Sequence, residues 1–455
     1  MLTVDPLTLA RVQFACNITF HILFPVINIA MAWILLFFKS RYNATKQQYW
    51  MDTYLFWTKI FALGFAIGIV SGVAMSFQFG ANWPGYMATV GDVAGPLLAY
   101  EILTAFFLEA TFLGIMLFGY KRVSNRIHNF ATIVVALGTT ASAFWILALN
   151  SWMQTPTGYS MHHGRAHVDS WLAVIFNPSF PYRFTHMLLA SGLTAAFLIA
   201  GLSAYRWLRK DRTPDVLSAM KTGVYLAAIL IPLQIWVGDL HGLNTLRYQP
   251  QKIAAMEGLW HTEQGAPLVL FGIPNEKTQR NDYAIELPKV ASLILTHTWQ
   301  GEIKGLDAFG DNHPPVGKVF WSFRFMIGVG ILMLLVAWSG VLLFKRKRDL
   351  PVFYVRVLIG MTFSGWIATV AGWYVTEIGR QPWLVTGVLT VADAAAPVAK
   401  SLLGISLALY LFIYLFLLGA FITTIFYMAR QAKSDKKIPL STASGEALVE
   451  LMSSK

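Results

Sequence analysis

The sequence predicts an all-α, polytopic membrane helix bundle with nine transmembrane helices, its N-terminus outside and its C-terminus inside. Three observations carry this reading. Of 455 residues, 56% are hydrophobic and 13% charged, where a soluble domain carries about 25% charged residues. Apolar runs of the roughly 20 residues that cross a bilayer fall at 12–38, 55–80, 97–120, 128–150, 184–205, 218–240, 319–344, 354–376 and 402–429. Basic residues then alternate from one connecting loop to the next.

That alternation sets the orientation. The first loop carries Lys39, Arg41 and Lys46, and the third Lys121, Arg122 and Arg126. The fifth carries Arg206, Arg209, Lys210, Arg212 and Lys221, and the seventh Lys345, Arg346, Lys347, Arg348 and Arg356. The tail carries Arg430, Lys433, Lys436 and Lys437. The alternate loops are poor: 81–96 has no Lys or Arg, 151–183 has Arg165 and Arg183, and 377–401 has Arg380 and Lys400. Cytoplasmic loops hold the excess of Lys and Arg, so the net charge of +12 reports topology and argues against nucleic acid. The first segment lacks a basic n-region and a cleavage site and is expected to be a retained span.

The chain divides into 1–240 (spans one to six), 241–318 (a long external loop), 319–430 (spans seven to nine) and 431–455 (a polar cytoplasmic tail). A loop as long as 241–318 is expected to be functional or disordered. Cys16 is the single cysteine, which excludes an intrachain disulfide; its place in span one fits a small apolar role.

Orientation turns the sequence into a depth map. His21 lies about 15 Å into span one at 1.5 Å per residue. Glu101 and Glu109 occupy the outer half of span three, a little over two turns apart. His186 begins span five, Arg324 and Met326 begin span seven, and Glu377 and Arg380 close span eight, all at outer ends. Ionisable groups inside a membrane are costly and mark function by default. Each has a bland reading: a helix–helix hydrogen bond for His21, His186 or the glutamates, packing for Met326, snorkelling for Arg183, Arg324 and Arg380. Independent structural residues would spread over both leaflets, and these converge on one. Imidazole, thioether and carboxylate can ligate haem iron, and a His/Met pair favours electron transfer over ligand exchange. Arginines at the rim suit haem propionates. The residues therefore read as a multi-haem redox protein, with a metal-ion or proton transporter left open by spacing alone.

The motifs then resemble a known family. Gly372-Trp-Tyr-Val-Thr-Glu377-Ile-Gly-Arg380-Gln-Pro-Trp383 resembles the signature of subunit I of cytochrome bd-type quinol oxidases. The resemblance runs through all nine spans. It includes Arg11-Val-Gln-Phe with His21-Ile-Leu-Phe-Pro, Phe79-Gly-Ala-Asn-Trp-Pro, Glu101 to Glu109, and Asn150-Ser-Trp-Met-Gln-Thr-Pro. It continues in Gln249-Pro-Gln-Lys252-Ile-Ala-Ala-Met-Glu257 and Phe320-Trp-Ser-Phe-Arg-Phe-Met326.

The resemblance implies roles. His186 and Met326 would be the two axial ligands of a low-spin haem b. His21 and Glu377 would each be the single ligand of a high-spin haem, a second b and a d. Glu101, Glu109 and Ser142 would serve the oxygen site and its proton path. Trp373 would sit between haems, and Arg324 and Arg380 would hold haem charge. Lys252 and Glu257 match quinol-site residues, Lys252 as hydrogen-bond donor and Glu257 as general base; without the match they read as solvated loop charges. The resemblance also implies ubiquinol or menaquinol as reductant, oxygen as acceptor, protons from the cytoplasm without pumping, and the bacterial cytoplasmic (inner) membrane. A second membrane subunit (subunit II) is expected, with or without a small single-span subunit. The loop is short, and Gly238-Asp-Leu-His-Gly-Leu-Asn resembles the cyanide-insensitive branch, where a further haem b replaces haem d in some members; d versus b stays open. His162, His163 and His167 read as a solvated cluster before a metal site.

Two other classes remain. A haem b quinol dehydrogenase would carry only bis-ligated haems, against solitary His21 and Glu377. A cofactor-free transporter favours broken helices and inverted repeats, which the sequence does not show.

Overall fold

The computed structural model describes residues 5–103, 107–346 and 350–432. Lys347, Arg348, Lys433, Lys436 and Lys437, and with them nearly all of the expected cytoplasmic tail, lie outside the described residues. The helices in order are α1 (Pro6–Ile22), α2 (Pro25–Thr45), α3 (Gln48–Ala81), α4 (Pro84–Glu101), α5 (Phe107–Phe118), α6 (Asn125–Gln154), α7 (Trp171–Ile175) and α8 (Phe180–Leu208). They continue as α9 (Pro214–Tyr248), α10 (Pro250–Glu257), α11 (Val290–Thr296), α12 (Val316–Lys345), α13 (Val352–Gly360), α14 (Ser364–Ile378), α15 (Val391–Ala394) and α16 (Lys400–Gln431). Prolines open α1, α2, α4, α9 and α10, because the first helical position needs no N–H donor and suits proline's fixed φ.

Among the described residues, eight helical segments are long and apolar enough to cross a membrane. They correspond to eight of the nine expected spans. The remaining one, 97–120, is represented by α4 and α5 on either side of residues outside the description. Among the described residues two spans are broken, contrary to the expectation of continuous helices. Pro25 interrupts the first after Leu23 and Phe24, whose N–H groups bond Phe20 and His21 carbonyls in tight turns, since proline cannot supply the next donor. The eighth breaks at Met361–Phe363, where Ser364 Oγ donates to the Met361 carbonyl at 2.7 Å. Broken helices therefore do not separate this chain from a transporter.

The fold is mostly helical and not purely so. Among the described residues four two-stranded antiparallel sheets occupy connections: β1 (Tyr159–His162) with β2 (Arg165–Val168), β3 (Glu263–Gln264) with β6 (Glu302–Ile303), β4 (Leu268–Asn275) with β5 (Arg280–Leu287), and β7 (Trp383–Val385) with β8 (Leu389–Thr390). Strand pairing satisfies backbone groups that these loops cannot satisfy by helix formation. Residues 241–318 are accordingly folded: α9 runs on to Tyr248, α10 follows at once, and the β4–β5 hairpin and α11 complete the excursion.

Burial ranks the helices. The apolar stretch of α8 is 78% buried and that of α16 11%, so α8 is a central post and α16 lies at the rim. Small residues let backbones approach in a membrane, where packing replaces the hydrophobic drive. A Cβ on Gly223 of α9 would stand 2.5 Å from the Ala196 carbonyl of α8, and one on Gly365 of α14 would stand 2.5 Å from Thr194 Cα. Gly330 of α12 has open space instead. Gly223→Val should therefore destabilise the protein by about 1–3 kcal/mol through overpacking, while Gly330→Val is tolerated; thermal unfolding in detergent compares the two.

Candidate functional site

The site is assembled around α14, which carries the 372–383 motif. Trp366 Nε1 of α14 donates to the Leu23 carbonyl at the α1–α2 break at 2.6 Å, and Tyr374 shares a 2.9 Å hydrogen bond with Thr19 of α1. Glu377, on the last turn of α14, accepts from Asn150 Nδ2 of α6 at 2.8 Å, and its second oxygen accepts from Arg380. Arg380 is 5% exposed and Arg183 is 6% exposed, so neither snorkels. Arg380 Nε and Nη1 and Arg183 Nε have no partner among the described residues. These two buried guanidinium groups hold unused donors beside a single carboxylate.

The external segment docks onto the same place. Pro250 starts α10 and Gly258, at φ +70°, ends it; a left-handed φ is free for glycine and costly for other residues. Lys252 and Glu257 stand five residues apart, about 140° around a helix, and so face different neighbours. Lys252 is 2% exposed. Its Nζ donates to Gln154 Oε1 at 2.8 Å, Gln249 Oε1 at 2.8 Å and the Thr376 carbonyl at 3.2 Å. Gln249 Nε2 also donates to Gln154 Oε1 at 3.0 Å. Burial, then Arg183 and Arg380, push the Lys252 pKa well down, while Glu377 opposes them. Three motifs distant in sequence, 150–156, 249–257 and 372–383, thus meet in one polar network.

Glu257 is 5% exposed and faces α12. Arg324 Nη2 donates to Glu257 Oε2 at 3.3 Å and to the Val269 carbonyl of β4 at 2.6 Å, while Nη1 reaches the Met256 carbonyl. Burial raises the Glu257 pKa and Arg324 lowers it, with burial the larger effect. Neither Lys252 nor Glu257 is a solvated loop charge, and Arg324 serves the loop as well as the helix that carries it.

Three of the four expected iron ligands sit beside glycines. A Cβ on Gly372 would lie 3.0 Å from Met326 Sδ, one on Gly238 3.4 Å from His186 Cε1, and one on Gly72 3.1 Å from His21 Cε1. These glycines leave room against Met326, His186 and His21. Ser71 Oγ donates to the Ile67 carbonyl at 2.9 Å and lies 3.0 Å from His21 Nδ1. With its own hydrogen given to Ile67, the Ser71 oxygen is placed to accept an Nδ1–H from His21, the tautomer that leaves the Nε2 lone pair for a metal. His186 Nε2 lies 3.1 Å from the Gln234 amide, its ring stands 5.6 Å from that of His241, and His186 Nδ1 and His241 Nε2 have no partner among the described residues. Imidazoles, a thioether, carboxylates, unused arginine donors and glycine space together fit haem groups. Trp373, next to Gly372, packs against the buried cluster of Ile29, Ala143, Leu147, Ala148 and Phe180.

Ser142 Oγ donates to Glu101 Oε1 at 3.0 Å, joining α6 to α4. Glu109 is 6% exposed, its Cγ would lie 2.9 Å from a Cβ on Gly138, and its Oε1 has no partner among the described residues. No hydrogen bond among the described residues links His21 or the Glu101–Ser142 pair to the Glu377 network. His162 and His167 lie on the exposed β1–β2 hairpin, with His167 paired to Asp92 at 3.2 Å, and no metal-type cluster occurs among the described residues.

Sequence reasoning gave no role to Asn150, Gln154, Gln249, Gln234, His241 or Ser71. Asn150 and Gln154 carried a signal, two amides four residues apart on one face of an apolar helix. Gln154→Leu would remove an acceptor from the buried Lys252 ammonium and should cost about 1–3 kcal/mol; denaturation of the solubilised protein measures it.

The family model described as cytochrome bd terminal oxidase subunit I matches residues 9–433. The chain is 35% identical to cytochrome bd ubiquinol oxidase subunit 1 of Bacillus subtilis (strain 168), over 96% of this chain and 97% of that one. It is 32% identical to cytochrome bd-II ubiquinol oxidase subunit 1 of Escherichia coli (strain K12), over 91% and 95%. Its fold is similar to the bd oxidase of Geobacillus thermodenitrificans, with TM-score 0.87 and 29% identity over 95% of this chain and 100% of that chain. With three of its motifs meeting in one buried network and residues 9–433 matched by the family model, the chain belongs to the cytochrome bd terminal oxidase subunit I family.

Proposed function

We propose that this chain is the haem-bearing subunit of a quinol:oxygen oxidoreductase that oxidises quinol at the outer membrane face and reduces oxygen with protons from the cytoplasm, without pumping. Family membership makes it part of a terminal respiratory oxidase, a bacterial membrane enzyme of quinol and oxygen that carries haem. The finer reading rests on one observation above others: the segment carrying Lys252 and Glu257 is locked onto the helix end carrying Glu377 and Arg380. The nine-span topology, with N-terminus outside and C-terminus inside, rests on the alternation of basic loops.

Bound haem supplies one-electron redox chemistry and, where one axial position is open, a place for oxygen. His186 and Met326 would hold a low-spin haem b; His21 and Glu377 would each hold one further haem, b or d. Arg380 and Arg183 offer unused donors for propionates; Arg324, also proposed to hold haem charge, already donates to Glu257, Met256 and Val269. Trp373 lies beside the Met326 contact. Glu257 accepts a proton from the quinol hydroxyl, its raised pKa bringing it toward the working range of a general base, and Arg324 holds it in place. Lys252 gives its three N–H groups to protein acceptors, so it acts as a positioning residue that fixes the loop. Glu101, Ser142 and Glu109 hold protons on the path to the oxygen site. The two relatives are named for ubiquinol, and either ubiquinol or menaquinol serves this chemistry. Subunit II of the oxidase, with or without a small single-span subunit, would complete the complex in the cytoplasmic (inner) membrane.

Met326→Leu should abolish the low-spin spectral signal while carbon monoxide still binds; loss of carbon monoxide binding alone overturns the ligand assignment. Glu257→Ala should suppress quinol-driven oxygen uptake with haem content unchanged. Normal turnover in that variant removes Glu257 from the quinol site.

A further inference from the structure

A crevice of about 250 Å³ opens at the end of α2, lined by Lys39, Tyr42, Lys46, Tyr120, Asn125 and His128. Its walls come from the first and third basic loops and the start of α6, which the charge map places on one side of the membrane. Lys39 is 1% exposed. Among the described residues no carboxylate pairs with it; its ammonium faces the rings of Tyr42, Tyr54 and Tyr120 at 5.6, 5.7 and 5.6 Å. His128 is also 1% exposed, with Nε2 donating to the Met116 carbonyl at 3.2 Å and Nδ1 without a partner among the described residues. The nearby carboxylate Asp52 is taken by Gln48 at 3.0 Å and does not line the crevice.

We propose that this crevice binds a phosphate group. Three rings can hold an ammonium by their quadrupoles, and that alone is the structural alternative. Rings add no net negative charge, however, and Lys46 brings a second cation to the same walls. The lining holds two cations, two phenol hydroxyls and no carboxylate, and the start of α6 adds the positive end of a helix dipole. At a water's share of about 30 Å³, the crevice holds a phosphate with its first waters or its ester substituents. Basic pockets between membrane helices on the cytoplasmic side suit anionic headgroups, and a free phosphate offers the same chemistry.

The purified, delipidated oxidase complex tests this by native mass spectrometry. The probes are phosphatidylglycerol, phosphatidylcholine and inorganic phosphate, applied to wild type, Lys39→Gln and Lys46→Gln. Wild type should take up phosphatidylglycerol in preference to phosphatidylcholine, with affinity falling roughly tenfold in each variant, as for loss of one charged contact. Binding of inorganic phosphate with the same variant dependence assigns the site to free phosphate; binding of phosphatidylglycerol alone assigns it to lipid. Lys46 is exposed, so Lys46→Gln carries the test if Lys39→Gln fails to assemble. Absence of anion binding to wild type, or affinity unchanged in the variants, overturns the site.

Discussion

The buried ammonium of Lys252 is the interaction on which the rest of the site depends. An isolated charge in an apolar interior is prohibitively costly, and this one is accommodated by acceptors from three parts of the chain: Gln154 of α6, Gln249 at the head of α10, and the Thr376 carbonyl of α14. Removing any acceptor leaves the ammonium short of a partner. The requirement therefore holds the external segment against the membrane helices more firmly than loop packing alone would. It also places Glu257, on another side of the same short helix, against Arg324 of α12.

The second constraint is α14 itself. It is a short helix after a break, and its last turn carries Glu377 with Arg380 immediately beyond. Around it stand α1 through Tyr374 and Trp366, α6 through Asn150, α8 through the Gly365 contact, and α12 through the Gly372–Met326 contact. All four helices that carry expected iron ligands are α14 or its neighbours. Electron transfer needs its redox groups close and fixed, and a central helix touched by every ligand-bearing partner provides that. The guanidinium groups of Arg183 and Arg380, buried with unused donors, would offset the charge of anionic groups held in a membrane interior.

Much of this was legible in the chain. Hydrophobic runs located the membrane segments, because apolar length is what a bilayer demands. Neither break was expected: Pro25 was a sign of the first that the hydropathy reading passed over, and the break at Met361–Phe363 carries no proline to mark it. The depth map put His186, Met326, Glu377 and Arg380 at one level, and α14 now joins Met326, Glu377 and Arg380. Burial of Lys252 was not legible: a polar loop reads as solvated until its acceptors, 98 and 124 residues away, are seen to meet it. Pairing of Ser142 with Glu101 likewise depends on how α6 is rotated against α4, which a hydropathy pattern leaves undetermined.

The proposed ligand set would hold one doubly ligated haem and at least one haem open to oxygen. The reduced-minus-oxidised optical spectrum of the purified complex, recorded with and without carbon monoxide, tests it most directly. The account predicts low-spin haem b bands that ignore carbon monoxide together with a high-spin component that it perturbs. Haem bands wholly indifferent to carbon monoxide, or no haem bands at all, would contradict it.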